Sequence, residues 1–131
     1  MSDKKVLFVE DDDSIRKTLF LILQENYKVH PVKSGQEALQ KLGKSRVDLV
    51  ITDLKLPDTD GLELIKQFRE NGYQGDVILI SGYPEAIDLD ILRDLSIGYF
   101  FAKPLDLHEL NNAIEYILDT KLWHEKRIAS I

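Results

Sequence analysis

The chain has 131 residues, with 23 acids against 17 bases and a net charge of −6. That length suits one domain able to bury a single core, and the absence of cysteine excludes a disulfide framework and thiolate metal sites. The acidic balance argues against nucleic-acid binding by this domain, because the phosphate-neutralising excess is missing. The N-terminal "MSDKK" leads into an apolar run too short for a signal segment or a membrane span, so a soluble cytoplasmic protein is expected.

Strand-like and helix-like segments alternate. "KVLFV" (5–9) is a short apolar strand. Residues 14–26 read as a helix, with Ile15, Leu19, Ile22 and Leu23 on one stripe. "YKVHPV" (27–32) is a weak strand, and Pro31 assigns it to a sheet edge. Residues 35–44 form a short helix. "VDLVITD" (47–53) is apolar on both faces. Residues 61–72 form a helix with Leu62, Ile65 and Phe68 inward, and Gly72 lies near its C-cap. "DVILIS" (76–81) is a continuous apolar strand. Residues 84–95 read as one helix opened by Pro84, and 98–103 as a fifth strand. A last helix spans 106–123, with Asp106 as N-cap and Glu109 at capping-box spacing.

Five strands alternating with five helices imply an α/β fold, a parallel sheet covered on both faces. Its strands end at Glu10 and Asp11, at Asp53, at Ser81 and at Lys103. Ligands of open α/β sheets sit outside the carboxyl ends of the strands, so three acids, a hydroxyl and a cation should converge in one crevice. Adjacent carboxylates are costly without a cation or a shared proton, and Lys103 supplies only one charge. A hard divalent ion with oxygen ligands fits, Mg²⁺ best. A carboxylate held there can attack phosphorus to form an aspartyl phosphate. Mg²⁺, Lys103 and the Ser81 hydroxyl would stabilise the phosphoryl oxygens.

The segments "VLFVEDDDSIR", "DLVITDLKLPDTDGLELI", "VILISGYPE" and "GYFFAKPLDLHEL" together resemble a response-regulator receiver domain of two-component signalling. The resemblance covers residues 4 to about 119. It implies a doubly wound, flavodoxin-like receiver fold with strand order 2-1-3-4-5. It also implies Asp53 as phosphoacceptor and Mg²⁺ held by Glu10, Asp11, Asp53 and the Lys55 carbonyl. Ser81 would be the switch hydroxyl, Lys103 the phosphoryl partner before a cis Pro104, and Phe100 the aromatic switch. Lys55 and Tyr83 fall where the family tunes phosphoryl lifetime. Glu10 stands in place of the commoner Asp, Ser81 in place of Thr, Phe100 without the Tyr hydroxyl, and Asp13 where Pro is frequent.

Simpler readings exist for each residue. Asp53 could be a helix cap, Lys103 a surface lysine, Ser81 half of a Ser-Gly turn and Phe100 a core residue. His30, His108 and His124 lack metal-ligand spacing. A calcium-loop reading of "DTDGLELIKQFRE" fails because Leu56 and Gln67 fall on ligand positions. A phosphatase of the haloacid-dehalogenase type would want a second Asp where Lys55 stands, which favours a stored phosphoryl group over rapid turnover.

The expected function is thus a phosphorylatable switch rather than a turnover enzyme. Its expected partners are a histidine kinase or phosphotransfer protein and a downstream protein or fused output domain, with a dimer on activation allowed. The face of the fourth helix, fifth strand and fifth helix would change. One alternative is a constitutive docking module that needs no phosphorylation. A flavodoxin-like cofactor binder is the other, disfavoured because "EDDDSIR" has no glycine or hydroxyl cluster to cradle a phosphate. The receiver is expected to span 1–123, with 124–131 as a tail or linker start and no output segment after it. Trp123 and the tail read as helix extension, partner contact or chain end. Among the four acids, Glu10 and Asp11 face the metal, while Asp12 caps the first helix and Asp13 sits in its first turn.

Overall fold

A computed structural model describes residues 3–119. Five strands run in the order β2-β1-β3-β4-β5, all parallel: β1 Lys5–Val9, β2 Lys28–Val32, β3 Leu49–Asp53, β4 Asp76–Ser81 and β5 Tyr99–Ala102. The helices are α1 Asp13–Leu23, α2 Gly35–Lys44, α3 Gly61–Glu70, α4 Leu89–Asp94 and α5 Leu107–Leu118. The parallel order requires α1 to α4 each to cross over between strands, α5 follows the last strand, and both faces are covered.

Alternation along the strands divides the core in two. Val6 and Phe8 of β1, Leu49 and Ile51 of β3, and Ile78 and Ile80 of β4 pack with Leu19 and Leu23 of α1 and with Leu110 and Ile114 of α5. The opposite faces, Leu7, Val9, Val50, Val77 and Leu79, pack against α2, α3 and α4 through Ala38, Leu64, Ile65, Phe68 and Leu92. All five residues of β3 are buried, as a central strand between two helical layers must be. Truncating fully buried Phe8 or Phe68 to Ala removes about 3–5 kcal/mol of packing. Pro31 lies on edge strand β2, where its missing N–H breaks no ladder.

Each α-helix starts on a side-chain cap. Asp12, Ser34, Asp60, Asp88 and Asp106 accept amide hydrogens of the first turn. Asp106 accepts from His108 and Glu109. Several expected boundaries shift for identifiable reasons. Helix α1 stops at Leu23 because the Asn26 and Tyr27 amides both turn back to the Leu23 carbonyl, which brings Tyr27 into the core. Strand β3 starts at Leu49 because the Asp48 carboxylate is engaged by the Lys5 amide and by Arg46.

The expected single helix over 84–95 is two elements. A 3₁₀ turn at Pro84–Ala86 is followed by extended Ile87, and α4 then starts from its own cap at Asp88. The Asp88 side chain accepts the Asp90 amide at 2.9 Å, which favours a new start over continuation. Helix α5 is described to Leu118. The expected end at 123, Trp123, His124 and the tail 124–131 lie outside the described residues. Among the described residues, no helix is long and apolar enough to cross a membrane.

Candidate functional site

The carboxyl ends of β1, β3, β4 and β5 meet on one side of the sheet. Register places Val9 beside Thr52, Asp53 beside Ile80, and Ser81 beside Ala102. Glu10, Asp53, Ser81 and Lys103 are therefore neighbours at one rim, with Asp11 one residue past Glu10. One carboxylate oxygen each from Glu10, Asp11 and Asp53 lies within 4.8 Å of the others. Glu10 is 2 % exposed and Asp53 6 %, whereas Asp11 is open to solvent. The five residues singled out from the sequence are thus brought together.

Lys103 bridges the two buried acids. Its Nζ lies 2.6 Å from Asp53 Oδ2 and 3.2 Å from Glu10 Oε1. The Lys103 amide donates to the Ser81 carbonyl at 2.8 Å, which continues the β4–β5 ladder and aims the side chain at the rim. The Lys103–Pro104 bond is cis. Burial pushes the Lys103 ammonium down, but the Asp53 hydrogen bond and the charges of Glu10 and Asp53 outweigh it, so its pKa is raised. Glu10 is less well compensated. Burial pushes its carboxyl up and the Asp53 charge adds to this. The Asp12 amide and Lys103 pull back only in part, and Glu10 is left at about 7. Metal-free, the cluster holds more negative charge than one lysine neutralises.

The first loop is locally determined. Glu10 Oε2 accepts the Asp12 amide at 3.2 Å, and Asp12 Oδ1 accepts the Ile15 amide at 2.9 Å. Arg16, one turn into α1, reaches back to the carbonyls of Glu10 and Asp11 at 3.0 and 3.3 Å and pairs with Asp13. Reading the sequence did not single out Arg16. Its signal is a lone cation on the first turn of a helix that follows an acidic strand end.

At β3, the next loop passes very close to the acid. Gly61, the first residue of α3, lies against the Asp53 carbonyl, and its amide donates to the Leu54 carbonyl at 2.6 Å. A Cβ at that position would collide with the Asp53 backbone, so only glycine lets α3 begin here. Ser81 is 1 % exposed, and its Oγ accepts the Tyr83 amide at 2.9 Å. Lys55 and Tyr83 stand at the mouth, with the Lys55 ammonium 4.2 Å from the Tyr83 ring centroid. Phe100 is half-buried on β5 beside Leu79 and packs against the core under α2, α3 and α4, away from the acids.

Comparison with known proteins agrees with this arrangement. The response regulator receiver domain matches residues 6–115. The sporulation initiation phosphotransferase F of Bacillus subtilis is 32 % identical over 122 residues, covering 92 % of this chain and 98 % of that protein. The alkaline phosphatase synthesis transcriptional regulatory protein PhoP of the same species is 31 % identical over 117 residues. That match takes in 88 % of this chain but only 49 % of PhoP, so the chain spans about half of that regulator. Among solved structures, the response regulator TrrA of Thermotoga maritima, in complex with Mg²⁺–BeF, is 29 % identical with a TM-score of 0.77. It covers 88 % of this chain and 99 % of its own. A receiver domain of Methylobacillus flagellatus is 28 % identical, with a TM-score of 0.79 and the same two coverages. From its strand order, its acid-and-lysine rim and the matched length, the chain belongs to the response regulator receiver domain family of two-component signalling.

Proposed function

We propose that this domain is a Mg²⁺-dependent switch that takes a phosphoryl group on Asp53 from the phosphohistidine of a histidine kinase or phosphotransfer protein. The observation that carries the reading is the convergence of three carboxylates on one point with a lysine ammonium among them. The donor set is all oxygen and strongly acidic, which fits Mg²⁺. The incomplete neutralisation of Glu10 is a second reason to expect a cation. Glu10, Asp11, Asp53 and the Lys55 carbonyl would hold the ion. Bound there, Mg²⁺ would supply the positive charge that lets an anionic phosphoryl group approach three carboxylates. The Mg²⁺–BeF complex of the Thermotoga relative supports both ion and phosphoryl-like group at such a site.

In the transfer, an Asp53 carboxylate oxygen bonds to phosphorus and the donor P–N bond breaks. The imidazole nitrogen keeps the bonding pair and takes a proton from solvent. Lys103 pairs with the phosphoryl oxygens. Ser81 Oγ, which already accepts the Tyr83 amide, keeps its own proton to donate to one of them. Movement of Ser81 would draw on β4 and β5 and let Phe100 turn inward, altering the α4–β5–α5 face that a downstream protein or a fused output domain reads. Self-catalysed uptake from small donors and slow hydrolysis would belong to the same site. An apolar groove of about 340 Å³ beside Lys103, lined by Ile15, Leu19, Pro104 and Leu107, offers contact to the donor protein.

Incubation with acetyl phosphate and Mg²⁺, followed by intact mass, tests the assignment. Wild type should gain a phosphoryl-sized mass and Asp53→Asn should not. No gain on wild type, or an equal gain on the variant, would sink it.

A further inference from the structure

The turn after β3 is fastened to a helix by one side chain. Its base is set by backbone bonds: the Leu54 amide donates to the Ile80 carbonyl at 2.8 Å, the Leu56 amide to the Thr59 carbonyl at 3.1 Å, and Lys55 pairs antiparallel with Asp60. At its tip the Asp58 carboxylate spreads over the start of α2. Oδ1 accepts the Gly35 amide and Oδ2 the Gln36 amide, each at 2.9 Å. The Ser34 cap takes only the Glu37 amide, so Asp58 satisfies two more of the orphan N–H groups of that helix. These hydrogen bonds to a charged acceptor are of the stronger kind. They also hold the Asp58 carboxyl below its ordinary range.

The seat is closely fitted. A Cβ on Gly35 would stand 2.6 Å from the Thr59 methyl and 3.4 Å from Asp58 Oδ1. Thr59 is β-branched and stiff, so only glycine at the first position of α2 lets the turn come down onto it. Lys55 lies three residues before Asp58 within the same turn, and its backbone carbonyl is the proposed fourth protein ligand.

We propose that Asp58 is a positioning residue of the metal site, which sets where the Lys55 carbonyl stands relative to Glu10, Asp11 and Asp53 by holding the turn tip on α2. The inference rests on the metal reading given above. Coupling of this kind is reciprocal. An ion bound at the rim would tighten the grip of Asp58 on α2, and so carry occupancy of the site to a helix that the α4–β5–α5 face does not include.

Amide NMR during a Mg²⁺ titration, with hydrogen exchange at Gln36, tests this in wild type, Asp58→Ala and Gly35→Ala. Outer-shell groups that orient metal ligands are worth about 10–100-fold in affinity, and Asp58 acts one step further out. Both variants should therefore weaken Mg²⁺ binding about three- to tenfold. In wild type, Mg²⁺ should slow exchange at Gln36; in Asp58→Ala it should not. Should Asp58→Ala not fold, Asp58→Asn, which keeps one acceptor oxygen, carries the same comparison. A lower melting temperature with unchanged Mg²⁺ affinity would make Asp58 a merely structural clamp and overturn the proposal. A wild type that binds no Mg²⁺ would instead overturn the metal reading itself.

Discussion

The Lys55 ammonium lies 4.2 Å from the centre of the Tyr83 ring, so the loops after β3 and β4 touch across the mouth above Asp53. Tyr83 is 52 % exposed, so the contact lies at the solvent edge of the site. An exposed cation–π pair is worth about 0.5–1 kcal/mol. Tyr83→Ala should open the mouth to water and shorten the lifetime of phospho-Asp53 about two- to fivefold. Decay of the phosphorylated protein, followed by intact mass after donor removal, gives the rate. An unchanged rate would mean that the pair does not gate water.

Glu10 provides a pH signature. Its folded-state pKa of about 7 is above the ordinary 4.5, so between these values the folded domain binds more protons than the unfolded chain. The stability tied to its proton is fully present below about pH 4.5 and lost as pH rises through 7. The metal-free domain should therefore melt several degrees lower at pH 7.5 than at pH 5.5, taking about 4 °C per kcal/mol, between the values for smaller and larger domains. Glu10→Gln should flatten this slope, and Mg²⁺ at pH 7.5 should restore the loss. Thermal melts across pH decide it; a Glu10→Gln slope equal to wild type counts against the assignment.

Asp11 and Asp13 sit two residues apart and should behave differently. Asp11 contributes an oxygen to the acid cluster, while Asp13 points away from it and pairs with Arg16. Asp11→Ala should weaken Mg²⁺ binding more than about tenfold, as expected for loss of a direct ligand. Asp13→Ala should leave that affinity unchanged. Isothermal titration of both variants separates them, and equal losses would show the division to be wrong.

The acids and the lysine were legible because each ends an apolar strand, and parallel strands of one sheet deliver their ends to one side. The cap at Asp12 was legible as well, since an Asp stands just before the segment that reads as helical. The break in the fourth helical segment was harder. Pro84 is a valid helix start, and nothing in the periodicity of "PEAIDLDILRDL" shows that Asp88 captures a nearby amide and restarts the helix. Asp58 gave no signal at all. A loop carboxylate that reaches an amide 23 residues upstream depends on two crossovers having packed, which no local pattern encodes.

The bond between Lys103 and Glu10 spans 93 residues, most of the described chain. During synthesis, Glu10, Asp11 and Asp53 are all made before the one ammonium that offsets them. Domains fold during synthesis as units, and long-range strand pairing is the slow part of such topologies. Neutralisation of the acidic rim therefore waits for the docking of the last strand. The rim is thus complete only once β5, itself part of the face proposed to report phosphorylation, is in place.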